Sequence, residues 1–289
     1  MDQAWEELTI DAAGLRLAAR ATGPVDGPPL LCLHGWLDNA ASFEPLGLLI
    51  PGFRVVALDL PGHGRSAHRE ASNTYAFIDA VAAVAAARDV LGWERCVLLG
   101  HSLGAAIAAC LAGAQPSRVA ALVLIDGMGP LAEAPQLAAQ RLGRALDEQR
   151  EKLGRRAPVY PSAELVAARL ASSVSRISIE SARILCSRGL IEVEGGVTWR
   201  SDPQVRWQSR VRLVEEQVLA FLRAITCPAL FVRAEQSVFV DGPVLDQRVA
   251  AIADLQVARL PGGHHVHLED PRAVAQVVVA FLAALQQPS

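Results

Sequence analysis

The sequence predicts an α/β fold: a mostly parallel central sheet with helices on both faces and an inserted helical cap. Three observations carry this. Short, continuous apolar runs recur through the first 126 residues, each closed by a polar residue or glycine. Helical patterns alternate with them. After Asp126 the alternation gives way to a long Ala/Leu/Arg/Glu-rich stretch, and it returns near Cys227. Apolar runs without a polar face fit strands buried on both sides, as in a parallel sheet covered by helices.

Each element follows in order. Leu8–Ile10 and Leu15–Arg20 flank a turn at Asp11–Gly14 and read as a hairpin. Leu30–Leu33 is the first buried run and ends at His34-Gly35. Val55–Leu58 is the second and ends at Asp59. A helix is expected from Thr74 to Leu91, with Thr74 as N-cap and Gly92 at C′. Cys96–Leu99 is the third run, ending at Gly100, and Ser102–Ala114 is helical. Val119–Ile125 is the fourth, ending at Asp126. Residues 131–224 read as helical with no apolar β run, broken at Gly195-Gly196. Strand Ala229–Val232, helix Pro243–Ile252, strand Leu255–Leu260 and helix Pro271–Leu285 complete the chain. The expected organisation is one core in two parts, 1–130 and 225–289, around a cap insertion at 131–224.

Composition narrows the function. The 289 residues are 52% hydrophobic and 20% charged, enough to bury a core without disulfides or metals. A net charge of −3 gives no electrostatic footprint for nucleic acid. Lys152 is the only lysine among 27 basic residues, and no glycine loop precedes it. That sets aside P-loop and lysine Schiff-base enzymes. Cys32, Cys96, Cys110, Cys186 and Cys227 are odd in number and form no CxxC, which suits buried, reduced thiols and a cytoplasmic setting. The acidic start, Asp2 to Glu7, has no apolar segment of the signal-peptide kind. The longest apolar stretch, Leu103–Ala114, is too short to span a bilayer.

Gly100-His101-Ser102-Leu103-Gly104 fits G-x-S-x-G between a buried strand and a helix. That context lifts a serine out of a strained turn as a nucleophile, with the next amide, Leu103 N–H, facing the same space. His34-Gly35-Trp36 ends the first buried strand. Taken together, His34 to Asn39, Asp59-Leu60-Pro61-Gly62-His63-Gly64-Arg65-Ser66, the G-x-S-x-G stretch and Leu124 to Gly127 resemble the α/β-hydrolase superfamily. In detail they resemble its serine hydrolase-like branch. The resemblance covers both core segments; residues 131–224 share only helical character with family caps.

The resemblance implies roles. Trp36 and Leu103 amides would form the oxyanion hole. In Gly263-His264-His265-Val266-His267-Leu268-Glu269-Asp270-Pro271, His264 stands where the family keeps its general base. The orienting acid departs from the common pattern: where most relatives carry G-x-x-D, this chain has Ala234-Glu235-Gln236-Ser237. Serine cannot stabilise an imidazolium as a carboxylate does. Asp126 is favoured as the acid, then Asp241; Glu235 is a third candidate. The Asp59–Ser66 stretch is read as loop-shaping, with His63 as a minor second-base candidate and Ser66 a loop residue.

Three histidines in one loop raise a metal reading. With no Cys or carboxylate pair at ligand spacing, the expectation is no metal and no cofactor, with His265 and His267 as packing or loop hydrogen-bonding residues. Asp38 is expected either to face the pocket or to cap a helix near Ala41. Trp36, His101, Met128 and Trp199 are candidate pocket residues, with Trp207 nearby. The expected function is serine hydrolysis of a small-molecule carboxylic ester or related acyl bond through Ser102. C–C hydrolysis or perhydrolysis would share the machinery. The other class is a ligand-binding protein with catalysis lost, which Ser237 favours. Neither a nucleic-acid nor a membrane partner is expected, and the oligomeric state stays open.

Overall fold

The computed structural model describes residues 4–70, 74–173 and 176–285. The chain opens with the antiparallel pair β1 (Glu6–Ala12) and β2 (Leu15–Thr22). Then follow β3 (Pro29–Leu33), α1 (Glu44–Gly47), β4 (Arg54–Leu58), α2 (Phe77–Val90), β5 (Cys96–His101), α3 (Leu103–Ala114) and β6 (Val119–Ile125). Between β6 and the next core strand lie α4 (Ala138–Lys152), α5 (Ala163–Ala171), α6 (Ile179–Gly189), β7 (Leu190–Val193), β8 (Gly196–Trp199) and α7 (Glu215–Arg223). The core resumes with β9 (Ala229–Gln236), α8 (Pro243–Ala251), β10 (Leu255–Gly263), α9 (Val266–Glu269) and α10 (Pro271–Ala284).

Eight strands form one sheet in the order β1-β2-β4-β3-β5-β6-β9-β10. From β4 to β10 every pair is parallel; the two pairs involving β2 are antiparallel. The fully apolar runs in β3, β4, β5 and β6 are buried on both sides, as their sequence requires. One face packs α2, α3 and α7 through Val84, Ala105, Ile107, Val218 and Leu222. The other packs α1 and α10 through Leu46, Val274, Val278 and Phe281. A smaller apolar cluster joins α5 and α6 to Leu268 of α9.

Two elements differ from expectation. Helix α2 starts at Phe77 after Ala76, not at Thr74. Residues 74–76 form no regular element, Ala76 is extended, and the Tyr75 hydroxyl donates to Asp202 of the insertion at 2.7 Å. The insertion also contains a hairpin, β7–β8. Its strands are four residues each and mostly not buried, so no apolar run marks them. Among the described residues, no helix is long and apolar enough to cross a membrane. All five cysteines are buried and unpaired.

Candidate active site

Ser102 stands at the junction of β5 and α3. Its backbone lies at φ 51° and ψ −111°, a region that costs energy for any residue but glycine. Two close approaches impose the turn. A Cβ on Gly104 would strike the Leu33 carbonyl, and one on Gly100 would strike the Gly104 backbone. Only glycine lets strand and helix meet this tightly. His264 directly follows β10. Its Nε2 lies 3.0 Å from Ser102 Oγ, and its Nδ1 lies 2.6 Å from Asp126 Oδ2. An ionised carboxylate only accepts, so Nδ1 carries the proton and Nε2 turns its lone pair to the serine.

Asp126 ends β6 and is fully buried. Oδ2 also accepts from Ser237 Oγ at 2.6 Å. Oδ1 accepts from Arg233 Nη1 at 2.8 Å and from the Ala234 amide at 3.2 Å. Burial pushes this carboxyl up, but the hydrogen bonds from His264 and Ser237, with Arg233 behind them, outweigh burial and hold it below the ordinary carboxylate range. Ser237, at the place of the usual acid, is therefore a donor to the carboxylate beside His264. Asp241 is turned away: it accepts from Arg233 at 3.0 Å and from Arg259 at 3.0 Å. Glu235 is exposed. The Trp36 and Leu103 amides donate to no backbone group among the described residues.

A family pattern described as the alpha/beta hydrolase fold matches residues 28–271. The chain belongs to the α/β-hydrolase family. It is 32% identical to a serine hydrolase-like protein of Danio rerio over 98% of this chain and 90% of that one. Among solved structures, a hypothetical protein of Pseudomonas aeruginosa PAO1 superposes with a TM-score of 0.90 at 42% identity, over 96% of this chain and 98% of that one. The thioesterase domain from the curacin biosynthetic pathway superposes with a TM-score of 0.86 at 28% identity, over 96% and 99% of the two chains.

In this α/β-hydrolase the Asp59 stretch acts as a knot. Asp59 accepts from the Ala40 and Arg65 amides and from buried Arg188 of α6, at 2.7–2.8 Å. Ser66 Oγ donates to the Asp59 carbonyl. His63 Nδ1 lies 3.0 Å from the Pro61 carbonyl, and burial pushes this histidine down to about 3. Behind His264 is a cluster of buried rings. His101 Nε2 donates to the His264 carbonyl at 2.9 Å, and burial takes its pKa to about 4. Asp38 faces His265 Nε2 at 3.2 Å and His101 Nδ1 at 3.6 Å. Burial lowers His265, but the Asp38 carboxylate outweighs it and raises its pKa. His267 packs on Phe43 and His101, with ring centroids 5.0 and 4.2 Å away.

This cluster corrects one expectation and bears on a second. Asn39, not Asp38, caps the short 3-10 helix at Ala40, its Oδ1 accepting from the Ala41 amide at 3.0 Å. Asp38, His101 and His265 bring donor atoms within 4.8 Å of one another, a set that could ligate a metal. The loop sequence alone conceals it, because Asp38 and His101 come from other strands' ends.

A cavity of about 1250 Å³ opens above Ser102. Trp36 and Met128 line it, with Phe77, Leu103, Trp207, Phe231 and Phe239. His101 and Trp199 do not. His101 is sealed under the His264 carbonyl, and Trp199 packs against Gly189 inside the insertion. Trp36 also donates its indole N–H to the Val205 carbonyl of the insertion at 2.9 Å. Two participants escape the sequence reading. Arg233 is a lone charge in the apolar run of β9, and that oddity was the available signal. Ser237 carried the opposite signal, that of a missing acid.

Proposed function

We propose that this chain is a serine hydrolase that cleaves a small-molecule carboxylic ester, thioester or related acyl bond through an acyl-enzyme on Ser102. The observation that carries the reading is the continuous chain from Ser102 Oγ through His264 to Asp126, with contacts of 3.0 and 2.6 Å. Ser102 Oγ attacks the acyl carbon as its proton passes to His264 Nε2. The developing oxyanion takes the free Trp36 and Leu103 amides, each such donor being worth about 10²–10³ in rate. His264 then protonates the leaving oxygen or sulfur as its bond to the acyl carbon breaks. Water attacks the acyl-enzyme, gives its proton to His264, and Ser102 departs with that proton. Asp126 stabilises the imidazolium formed in each half and stays ionised.

The ligand-binding reading needs both carboxylates to be out of reach of His264, and Asp126 is within 2.6 Å. The test is labelling with a fluorophosphonate probe. Wild type should label covalently, and Ser102→Ala, with unchanged melting cooperativity, should not. Folded wild type that stays unlabelled would leave the binding reading in its place.

A further inference from the structure

We propose that Arg206 forms an anion-binding subsite on the wall of the cavity above Ser102, and that the acyl substrate carries a carboxylate, phosphate or sulfate group that it grips. As a statement about substrate, this rests on the serine hydrolase reading; as a statement about binding, it stands alone.

Six arginines line the cavity: Arg69, Arg141, Arg206, Arg212, Arg233 and Arg248. Three are spent on protein. Arg141 binds Glu133, Arg233 binds Asp126 and Asp241, and Arg248 binds Glu215 and the Met128 carbonyl. Among the described residues, Arg69, Arg206 and Arg212 have no carboxylate hydrogen-bonded to their guanidinium groups, although Glu133, which holds Arg141, also acts on Arg212, and Arg69 lies over the Tyr75 ring. Of the carboxylates on the cavity wall, Asp126, Glu133 and Glu215 already hold an arginine; Glu216 holds none.

Arg206 is also held in place. It ends the 3-10 helix Pro203–Arg206, whose first turn is capped by Asp202 Oδ1 accepting from the Gln204 amide at 2.9 Å. Asp202 is fastened twice to core loops: its amide donates to the Gly62 carbonyl at 2.9 Å, and its other oxygen accepts from Tyr75. The carbonyl just before Arg206, on Val205, accepts the Trp36 indole N–H. Trp36 sits on the loop whose amide faces the oxyanion. The backbone beside Arg206 is thus tied to the Trp36 side of the cavity, and its side chain borders both this cavity and a second one within the insertion, where Tyr160 faces it. Burial lowers the pKa of both Arg206 and Arg212, yet guanidinium stays charged at any working pH. An unpaired, partly desolvated guanidinium is a standing cost that an anion removes. Its planar fork matches carboxylate, phosphate or sulfate with two parallel hydrogen bonds. The mostly apolar remainder of the wall suits the carbon chain between that anion and the acyl bond.

The test compares esters matched in length, p-nitrophenyl valerate and p-nitrophenyl hydrogen glutarate. Wild type should favour the glutarate in kcat/KM by about tenfold to a hundredfold, the range of one charge-assisted hydrogen bond. In Arg206→Gln that ratio should fall to about one, and Arg206→Lys should recover only part of it. A ratio near one in wild type, or a ratio unmoved by Arg206→Gln, overturns the proposal. A binding arm runs on Ser102→Ala by calorimetry with glutarate, inorganic phosphate and sulfate. Uptake of any one that Arg206→Gln abolishes supports the subsite even if no ester is turned over, and the strongest of the three names the anion. No uptake of all three overturns it.

Discussion

On the core wall of the cavity, Asp126 accepts four hydrogen bonds, from His264, Ser237, Arg233 and the Ala234 amide. On the insertion wall, Arg206 faces Tyr160 rather than a carboxylate, and Arg212 feels only Glu133, which is already bonded to Arg141. The contrast follows from what the proposed function asks of each wall. A carboxylate that steers proton transfer needs its lone pairs occupied, so that its geometry survives each cycle. A cation that selects a substrate needs its donors open.

The contrast breaks most sharply at Asp126. Asp126→Asn should cut kcat by about 10⁴, while Asp241→Asn should stay within about fivefold of wild type, both read from steady-state ester hydrolysis. The reverse ranking would move the orienting role off the buried wall.

Acid strikes the same wall next. Burial holds His34 and His101 at about 4 and His63 at about 3, and His267 also falls well below its ordinary value. Between those values and about 6.5, the unfolded chain binds protons that the folded chain refuses. Stability therefore falls as pH drops from 6.5 toward 4. His265 has the opposite sign: its raised value adds stability that is full below 6.5 and lost as pH rises through the folded value. It stands against four. By calorimetry Tm should drop on the order of 10 °C between pH 7 and 5. A level Tm would mean that these rings already carry protons in the fold.

Ser237→Ala sharpens the comparison at finer scale. It removes one of two donors on Asp126 Oδ2 and should lower kcat by about tenfold with little change in KM. A loss equal to that of Asp126→Asn would make the serine as necessary as the carboxylate. The smallest effect is at the seam between the walls. Trp36→Phe keeps the amide and deletes the indole bond to Val205. Turnover should fall about threefold to tenfold, and limited proteolysis should cut earlier near 200–206. An unchanged digestion pattern would show that the walls are held independently.

Most of the sheet was legible because its strands are buried on both sides and so write themselves as unbroken apolar runs. The Ser102 turn was legible for a related reason: two glycines are forced by backbone contact. The β7–β8 hairpin was not, since Leu190–Val193 and Gly196–Trp199 are short and largely solvated, with no pattern to carry. The choice between Asp126 and Asp241 depends on which loops converge, a property of the folded sheet rather than of either segment. Arg206 sits in a run of polar and aromatic residues whose burial only the docking of 200–206 on Gly62, Tyr75 and Trp36 decides.

The φ of 51° at Ser102 has a consequence on a longer timescale. Holding serine there costs about 1–3 kcal/mol, and glycine would take the same turn without that cost. Mutation therefore has a standing downhill route from the hydroxyl to a residue with no side chain to attack a carbonyl. A lineage that only cradled a ligand would gain stability by taking it. On the proposed function, a serine kept at this position is kept against its own thermodynamics for the work of its oxygen.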